Sequence, residues 1–289
     1  MKPAPFEYHD PRAVGDAVEL LARYGDDAKV LAGGQSLLPM LNLRLARPAA
    51  IVDINRLPGL DTLRETDGRL SAGALLRQRA LERWASGRAP ILAAALRLVG
   101  HAAIRNRGTV GGSLAHADPA SELPALLLCL DGSVVARSRG GERVIPATDL
   151  FRGPLTTSLR PDELLTETRW RIPEIDEGWG FHEVARRHGD FALVGVAALV
   201  ALGGGRIERA RIALFGAGPA PSRAEAAEQA LVGQRPDPAL LAEAARAGAE
   251  GLDPQADIHA SGRYRKSVAR TLMARALSDA LRRAEAHDR

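Results

Sequence analysis

The chain has 289 residues, 46% of them hydrophobic and 26% charged, enough for two modest domains or one large one in an ordinary soluble globular protein. Its 39 Lys and Arg against 35 Asp and Glu give a formal charge of +4 spread along the chain, which argues against the concentrated cationic face that nucleic-acid binding needs. With one cysteine, Cys129, no internal disulfide and no cysteine-ligated metal or iron–sulfur centre can be assembled, and 4% aromatics leave a core of Ala, Val and Leu.

In chain order, Asp10 is a candidate N-cap and Pro11 the first helical position. Val14, Val18 and Leu21 recur at helical spacing, and Gly25 closes the helix. A short strand over Lys29 to Ala32 runs into Gly33-Gly34-Gln35-Ser36, a helix from Leu37 to about Leu45 follows, and Ile51 to Ile54 reads as a strand, completing a small β–α–β unit. Asp67-Gly68 marks a tight hairpin. Helices are expected near Arg77–Trp84 and Pro90–Val99, then a second glycine loop from Gly108 to Ser113. A helix from about Ser121 to Cys129 precedes strands around Val134, Val144 and Leu165–Trp170.

Pro173 to Gly180 reads as a linker. Two long strands (Phe181–Arg187 and Leu193–Leu202), a third at Ile207–Phe215, and helices near Ser222–Leu231, Pro238–Gly248 and Gly262–Arg283 complete the chain, strands followed by segregated helices. The expected class is α+β: a two-part domain over 1–176, with subdomains about 1–56 and 57–176, and a smaller domain over 177–289 with a three-stranded sheet plus helices. No apolar run of about 20 residues could cross a bilayer, and no N-terminal secretory pattern is visible, so the expected location is cytoplasmic.

Two loops carry the chemistry. In the first, a strand feeds Gly33-Gly34, a hydroxyl residue and a helix. Glycine permits close backbone approach, and exposed amides offer donors to a phosphate; a plain β-to-α turn is the alternative. The spacing fits neither the phosphate loop ending in Gly-Lys-Ser/Thr nor the three-glycine dinucleotide fingerprint. The second loop, Arg105 to Ser113, again pairs Gly111-Gly112 with hydroxyls and leads through Asp118-Pro119 to Glu122. A diphosphate between adenosine and flavin needs donors from two sides, and two such loops supply them. Glu122 could accept from ribose hydroxyls or be a first-turn helix acid; Asp118 before Pro119 reads as a turn residue. Cys129, inside the apolar run Leu126 to Leu130, reads as a small buried residue.

The run Ala32 to Pro39 and the segment Ala103 to Ser113, followed by Asp118-Pro119-Ala120-Ser121-Glu122, resemble the two flavin-diphosphate loops of the medium subunits of molybdenum hydroxylases, the group of aerobic carbon monoxide dehydrogenase and xanthine dehydrogenase. Phe181 to Arg187 with Asp190-Phe191-Ala192 resembles that family's isoalloxazine-side segment, so the likeness runs in order along nearly the whole chain.

The resemblance implies FAD as cofactor and an FAD-binding domain of the vanillyl-alcohol-oxidase/PCMH type followed by a flavoprotein C-terminal domain. It implies cofactor contacts from Leu31, Ala32, Gly33, Gly34, Gln35, Ser36 and Leu37 and from Thr109, Val110, Gly111, Gly112 and Ser113. Glu122 falls near ribose and phosphate; Val99, His101 and Ala102 line the cleft; the backbone of Leu165 touches the ring, and Phe191 shields one ring face. His182 stands where some relatives have Lys. His101 could instead be a surface residue, Phe191 core, and Arg186-Arg187 a solvated strand edge. No catalytic acid, base or metal ligand is implied, because the isoalloxazine does the redox work. The implied partners are a large subunit with the molybdenum cofactor and a small subunit with 2Fe-2S clusters, in a dimer of heterotrimers. Electrons pass from the clusters to FAD and on to an external acceptor. A self-contained FAD oxidoreductase of the same fold, and a non-catalytic scaffold with a degenerate flavin fold, are the competing readings. A covalent flavin link through His101 or His116 is a further variant.

Overall fold

A computed structural model of the chain describes residues 2–286. The first unit is built from β1 (Glu7–His9), α1 (Val14–Tyr24), β2 (Ala28–Leu31), α2 (Leu37–Asn42) and β3 (Ala50–Asp53), with the strands parallel in the order β1-β3-β2. Ala17, Val18 and Leu21 form the buried stripe of α1, and Gly25 closes it at φ 55. Its start lies later than expected. Ala13, without a side-chain cap, precedes the helix, while the Asp10 carboxylate is held by Arg12 at 2.9 Å and Arg56 at 3.0 Å. Two guanidinium partners hold that side chain away from the helix amides.

The second unit runs through β4 (Leu63–Thr66), β5 (Arg69–Gly73), α3 (Gln78–Ala85), α4 (Pro90–Leu96), α5 (Ala102–Arg107), α6 (Val110–His116), α7 (Glu122–Cys129), β6 (Ser133–Ser138), β7 (Gly141–Pro146), α8 (Ala147–Leu150), β8 (Phe151–Gly153), β9 (Thr156–Thr157) and β10 (Leu164–Arg171). Strands β4, β5, β10, β6 and β7 lie side by side in that order as one antiparallel sheet. The Asp67-Gly68 turn takes φ 50 and 69, as a two-residue hairpin requires. Leu70, Ala72, Val134, Ala136 and Trp170 of the sheet pack against Leu81, Leu92, Leu96, Leu114, Leu126 and Leu127 of the helices. Leu164 and Leu75 pack instead with Val18, Leu21 and Val52 of the first unit.

The third unit begins at β11 (Gly178–Ala185) and continues with β12 (Ala192–Gly203), β13 (Arg206–Phe215), β14 (Ser222–Arg223), α9 (Glu225–Leu231), α10 (Pro238–Glu250) and α11 (Gly262–Glu285). The sheet order is β11-β12-β13-β14, so a two-residue fourth strand is added to the three expected. The start of β11 overturns part of the expected linker. Gly178 and Gly180 are strand residues whose Cβ atoms would fall on the backbone of Ala280 and Ala276 in α11, so glycine there serves close packing. Strand β12 is buried along its first ten residues because both faces are covered. Val194, Val196, Ala198 and Val200 join Ala269, Met273, Ala276 and Ala280 beneath α11. Ala197, Leu199, Ala213 and Phe215 extend the core of the second unit. At the junction the buried Glu177 is held by Arg171 of β10 and by Arg209 of β13 at 3.1 Å. Cys129 is fully buried, and burial pushes its thiol up to about 12.

Candidate functional site

Strand β2 delivers the chain into residues 32–36. Gly34 takes φ 74, open to glycine at little cost, and turns the backbone so that the Leu38 amide donates to its carbonyl at 3.1 Å. Gln35 Nε2 holds the Gly33 carbonyl at 3.0 Å. The amides of Gly33, Gly34, Gln35, Ser36 and Leu37 have no acceptor among the described residues, and the Ser36 hydroxyl caps nothing. Five consecutive unspent donors on a half-buried turn are what an anion would take.

The second segment differs from the glycine loop expected of it. Thr109 is the N-cap of α6, and its Oγ1 accepts from the Gly112 amide at 3.1 Å. Val110 donates to Leu76 O at 2.9 Å, Gly111 to Ala74 O at 3.0 Å and Ser113 to Thr109 O at 3.1 Å. The amides of residues 110–113 are therefore committed to the protein. What this segment can offer is hydroxyls: Thr109, whose proton remains free to donate, and Ser113, whose Oγ lies 3.2 Å from Ser121 Oγ. Glycine at 111 is a packing requirement, since a Cβ there would sit 2.6 Å from Ala74 Cα.

The two segments meet. A Cβ on Gly33 would lie 2.5 Å from the Arg107 carbonyl oxygen and 2.9 Å from Gly108 Cα, and one on Gly112 would lie 3.7 Å from Ala32 Cβ. Two side chains that sequence reasoning missed cross the seam. Asn55 Nδ2 donates to Ala32 O at 2.8 Å, while Arg77 donates to Asn55 Oδ1 at 3.0 Å and to Arg107 O at 2.7 Å. Nothing local in the sequence marks either residue, because each takes its meaning from partners 22 to 30 positions away.

Glu122 opens α7 and is buried; burial, reinforced by the charge of Glu183, pushes its carboxyl up to about 8. Glu183 on β11 is pushed by burial to about 7, and its buried Oε2 has no hydrogen-bond partner. Asp118 behaves as a turn residue, its Oδ1 accepting from the Ala120 amide at 2.9 Å. Val99, His101 and Ala102 form the turn into α5, where Arg105, paired with Glu82 at 2.9 Å, also donates to the Val99 and Gly100 carbonyls. The β11–β12 connection folds over that turn: a Cβ on Gly189 would lie 2.8 Å from the His101 ring, which stacks with His188 at 6.1 Å. Phe191, 61% exposed, lies in the connection just before β12 and outside the core. Leu165 is buried in β10 beside a bulge, and the next carbonyl, Thr166 O, accepts from Ala74 N.

His182 departs from the expectation. It shares the α11-facing side of β11 with Gly178 and Gly180, and its Nε2 lies 3.0 Å from Asp279 Oδ2 of α11. Its neighbour Phe181 faces the other way, stacking on Phe215 at 5.8 Å within the core shared with the second unit. Strand alternation thus removes His182 from the glycine segments and puts Glu183 on their side.

The family described as "FAD binding domain in molybdopterin dehydrogenase" matches residues 4–174, and "CO dehydrogenase flavoprotein C-terminal domain" matches residues 179–280. The chain is 45% identical to the 6-hydroxypseudooxynicotine dehydrogenase complex subunit alpha of Paenarthrobacter nicotinovorans, over 98% of this chain and 97% of that one. Its structure is similar to a chain of carbon monoxide dehydrogenase from Hydrogenophaga pseudoflava, with a TM-score of 0.95 at 38% identity over 98% and 99% of the two chains. It is also similar to a chain of quinoline 2-oxidoreductase from Pseudomonas putida 86, with a TM-score of 0.92 at 39% identity over 98% and 99%.

Proposed function

The chain belongs to the FAD-binding medium subunits of the molybdenum hydroxylase family, and from that premise we propose that it binds one FAD, with the diphosphate between residues 32–37 and Thr109–Ser113, and relays electrons through it. The observation that carries this reading is the juxtaposition of two glycine segments, one with five unspent amides and the other with two hydroxyls. FAD supplies the redox chemistry; this chain binds it, orients it and excludes water. The amides of Gly33 to Leu37 hold phosphate oxygens, and the Thr109 and Ser113 hydroxyls donate from the opposite side. Glu122 and Glu183, protonated over part of the neutral range, can both donate to and accept from hydroxyl groups. Val99, His101 and Ala102 would line the cleft, the Leu165 backbone would meet the ring, and the exposed Phe191 would cover one ring face. His182 has no part in this site.

We place the domain division at 176/177. The partners are a molybdenum-cofactor large subunit, which oxidises the substrate, and a small subunit with 2Fe-2S clusters, which delivers the electrons; two such trimers pair. The single buried Cys129 supports receipt of electrons from another polypeptide, since this chain has no thiolates with which to hold a cluster. We place the assembly in the cytoplasm; no described helix is long and apolar enough to cross a membrane. The test is spectroscopic. Purified chain supplied with FAD should retain about one flavin per chain after gel filtration, lose its yellow colour on adding dithionite, and release the flavin on acid denaturation. A colourless preparation that takes up no FAD contradicts the proposal.

A further inference from the structure

Behind the two glycine segments, Asn55 and Arg77 form a continuous chain of hydrogen bonds that neither segment could make alone. Asn55 follows β3, where Asp53 Oδ1 accepts from its amide at 2.9 Å and its Nδ2 at 2.7 Å; Tyr8 Oη donates to the other Asp53 oxygen at 2.7 Å. So fixed, Nδ2 also reaches Ala32 O at 2.8 Å, and Oδ1 accepts from Arg77, which holds Arg107 O at 2.7 Å. In a trans peptide the C=O and the following N–H point in opposite directions. Holding Ala32 O on Asn55 therefore aims the Gly33 amide away from the clasp. The Arg107 carbonyl also touches the place a Gly33 Cβ would occupy, so movement of one segment displaces the other.

We propose that Asn55 and Arg77 are positioning residues for the cofactor, a two-residue clasp that sets the spacing and the amide orientation of both diphosphate segments without touching the ligand. This rests on the FAD reading above. A guanidinium fits the role because two nitrogens of one plane donate to two acceptors at once, which an ammonium does not reproduce.

The test uses the full chain, stripped of flavin and titrated with FAD while fluorescence is followed, beside melting of the flavin-free form. Asn55→Ala and Arg77→Met should each raise the Kd for FAD about ten-fold, the equivalent of one positioned hydrogen bond. Arg77→Lys should recover little of that loss, and flavin-free melting should stay near that of the unaltered chain. Because the two residues act as one unit, the double variant should be no weaker than the worse single. An unaltered Kd in either single variant, full rescue by Lys, or a double-variant loss equal to the product of the singles overturns the clasp. If Arg77→Met does not fold, Asn55→Ala decides on the same two readings. An unaltered chain that binds no FAD contradicts the cofactor reading itself, and the clasp with it.

Discussion

Glu122 is buried and Glu183 half-buried with one buried carboxylate oxygen, and burial raises both, to about 8 and about 7. An unfolded chain releases these protons near pH 4.5, whereas the folded chain keeps them to higher pH. Stability from this source is thus full below about pH 4.5 and is lost as pH rises toward 8, at about 1.4 kcal/mol per pH unit for each group that titrates only in the unfolded state. Flavin-free Glu122→Gln should melt with a shallower decline between pH 5 and 8 than the unaltered chain; a parallel decline would show that Glu122 titrates normally. At this scale the glycine segments were legible because Gly-Gly beside hydroxyls has a local physical meaning. Asn55, Arg77 and Glu183 were not, since their roles arise from contacts made only on folding. The direction His182 faces is not legible because β11 is covered on both faces. Phe181, His182, Glu183 and Val184 then show no clean apolar–polar alternation to reveal which side faces which neighbour.

Elements with a strong pattern were read within a few residues of their observed bounds: β12 and β13, and the helices α10 and α11, whose N-caps Asp237 and Ser261 accept from the Leu240 and Tyr264 amides. Short pieces such as β1, α5 and β14 carry too few residues for a period to show. Glycine misled in both directions. Gly111 and Gly112 read as loop but form the first turn of α6, and Gly178 and Gly180 read as linker but form a strand, because in each case the missing Cβ makes room for a neighbouring backbone or side chain. The β11–α11 contact makes this measurable. Gly180→Ala would place a methyl on the Ala276 backbone, which can move only by shifting the helix. The expected cost is about 3 kcal/mol, near the upper end for overpacking of a core, read as a lower denaturation midpoint. An unchanged midpoint would mean that α11 is not seated there.

Across the whole molecule the three larger sheets share their cores rather than sitting as separate beads. Phe215 and Leu199 of the third unit pack in the same cluster as Leu126 and Trp170 of the second, and Gly216 donates to Pro119 O at 2.7 Å beside the glycine segments. This continuity brings the β11–β12 connection of the third unit over His101 of the second. The order of units, the two-domain plan and the family were legible in the sequence, whereas this inter-domain packing was not, because no local pattern encodes which sheet face meets which helix. The most direct test of the account is the structure of the FAD-loaded chain. It should place the diphosphate oxygens about 3 Å from amides of Gly33 to Leu37 and from the Thr109 or Ser113 hydroxyl. A dinucleotide bound elsewhere, with side chains filling the gap between residues 32–37 and 109–113, would contradict it.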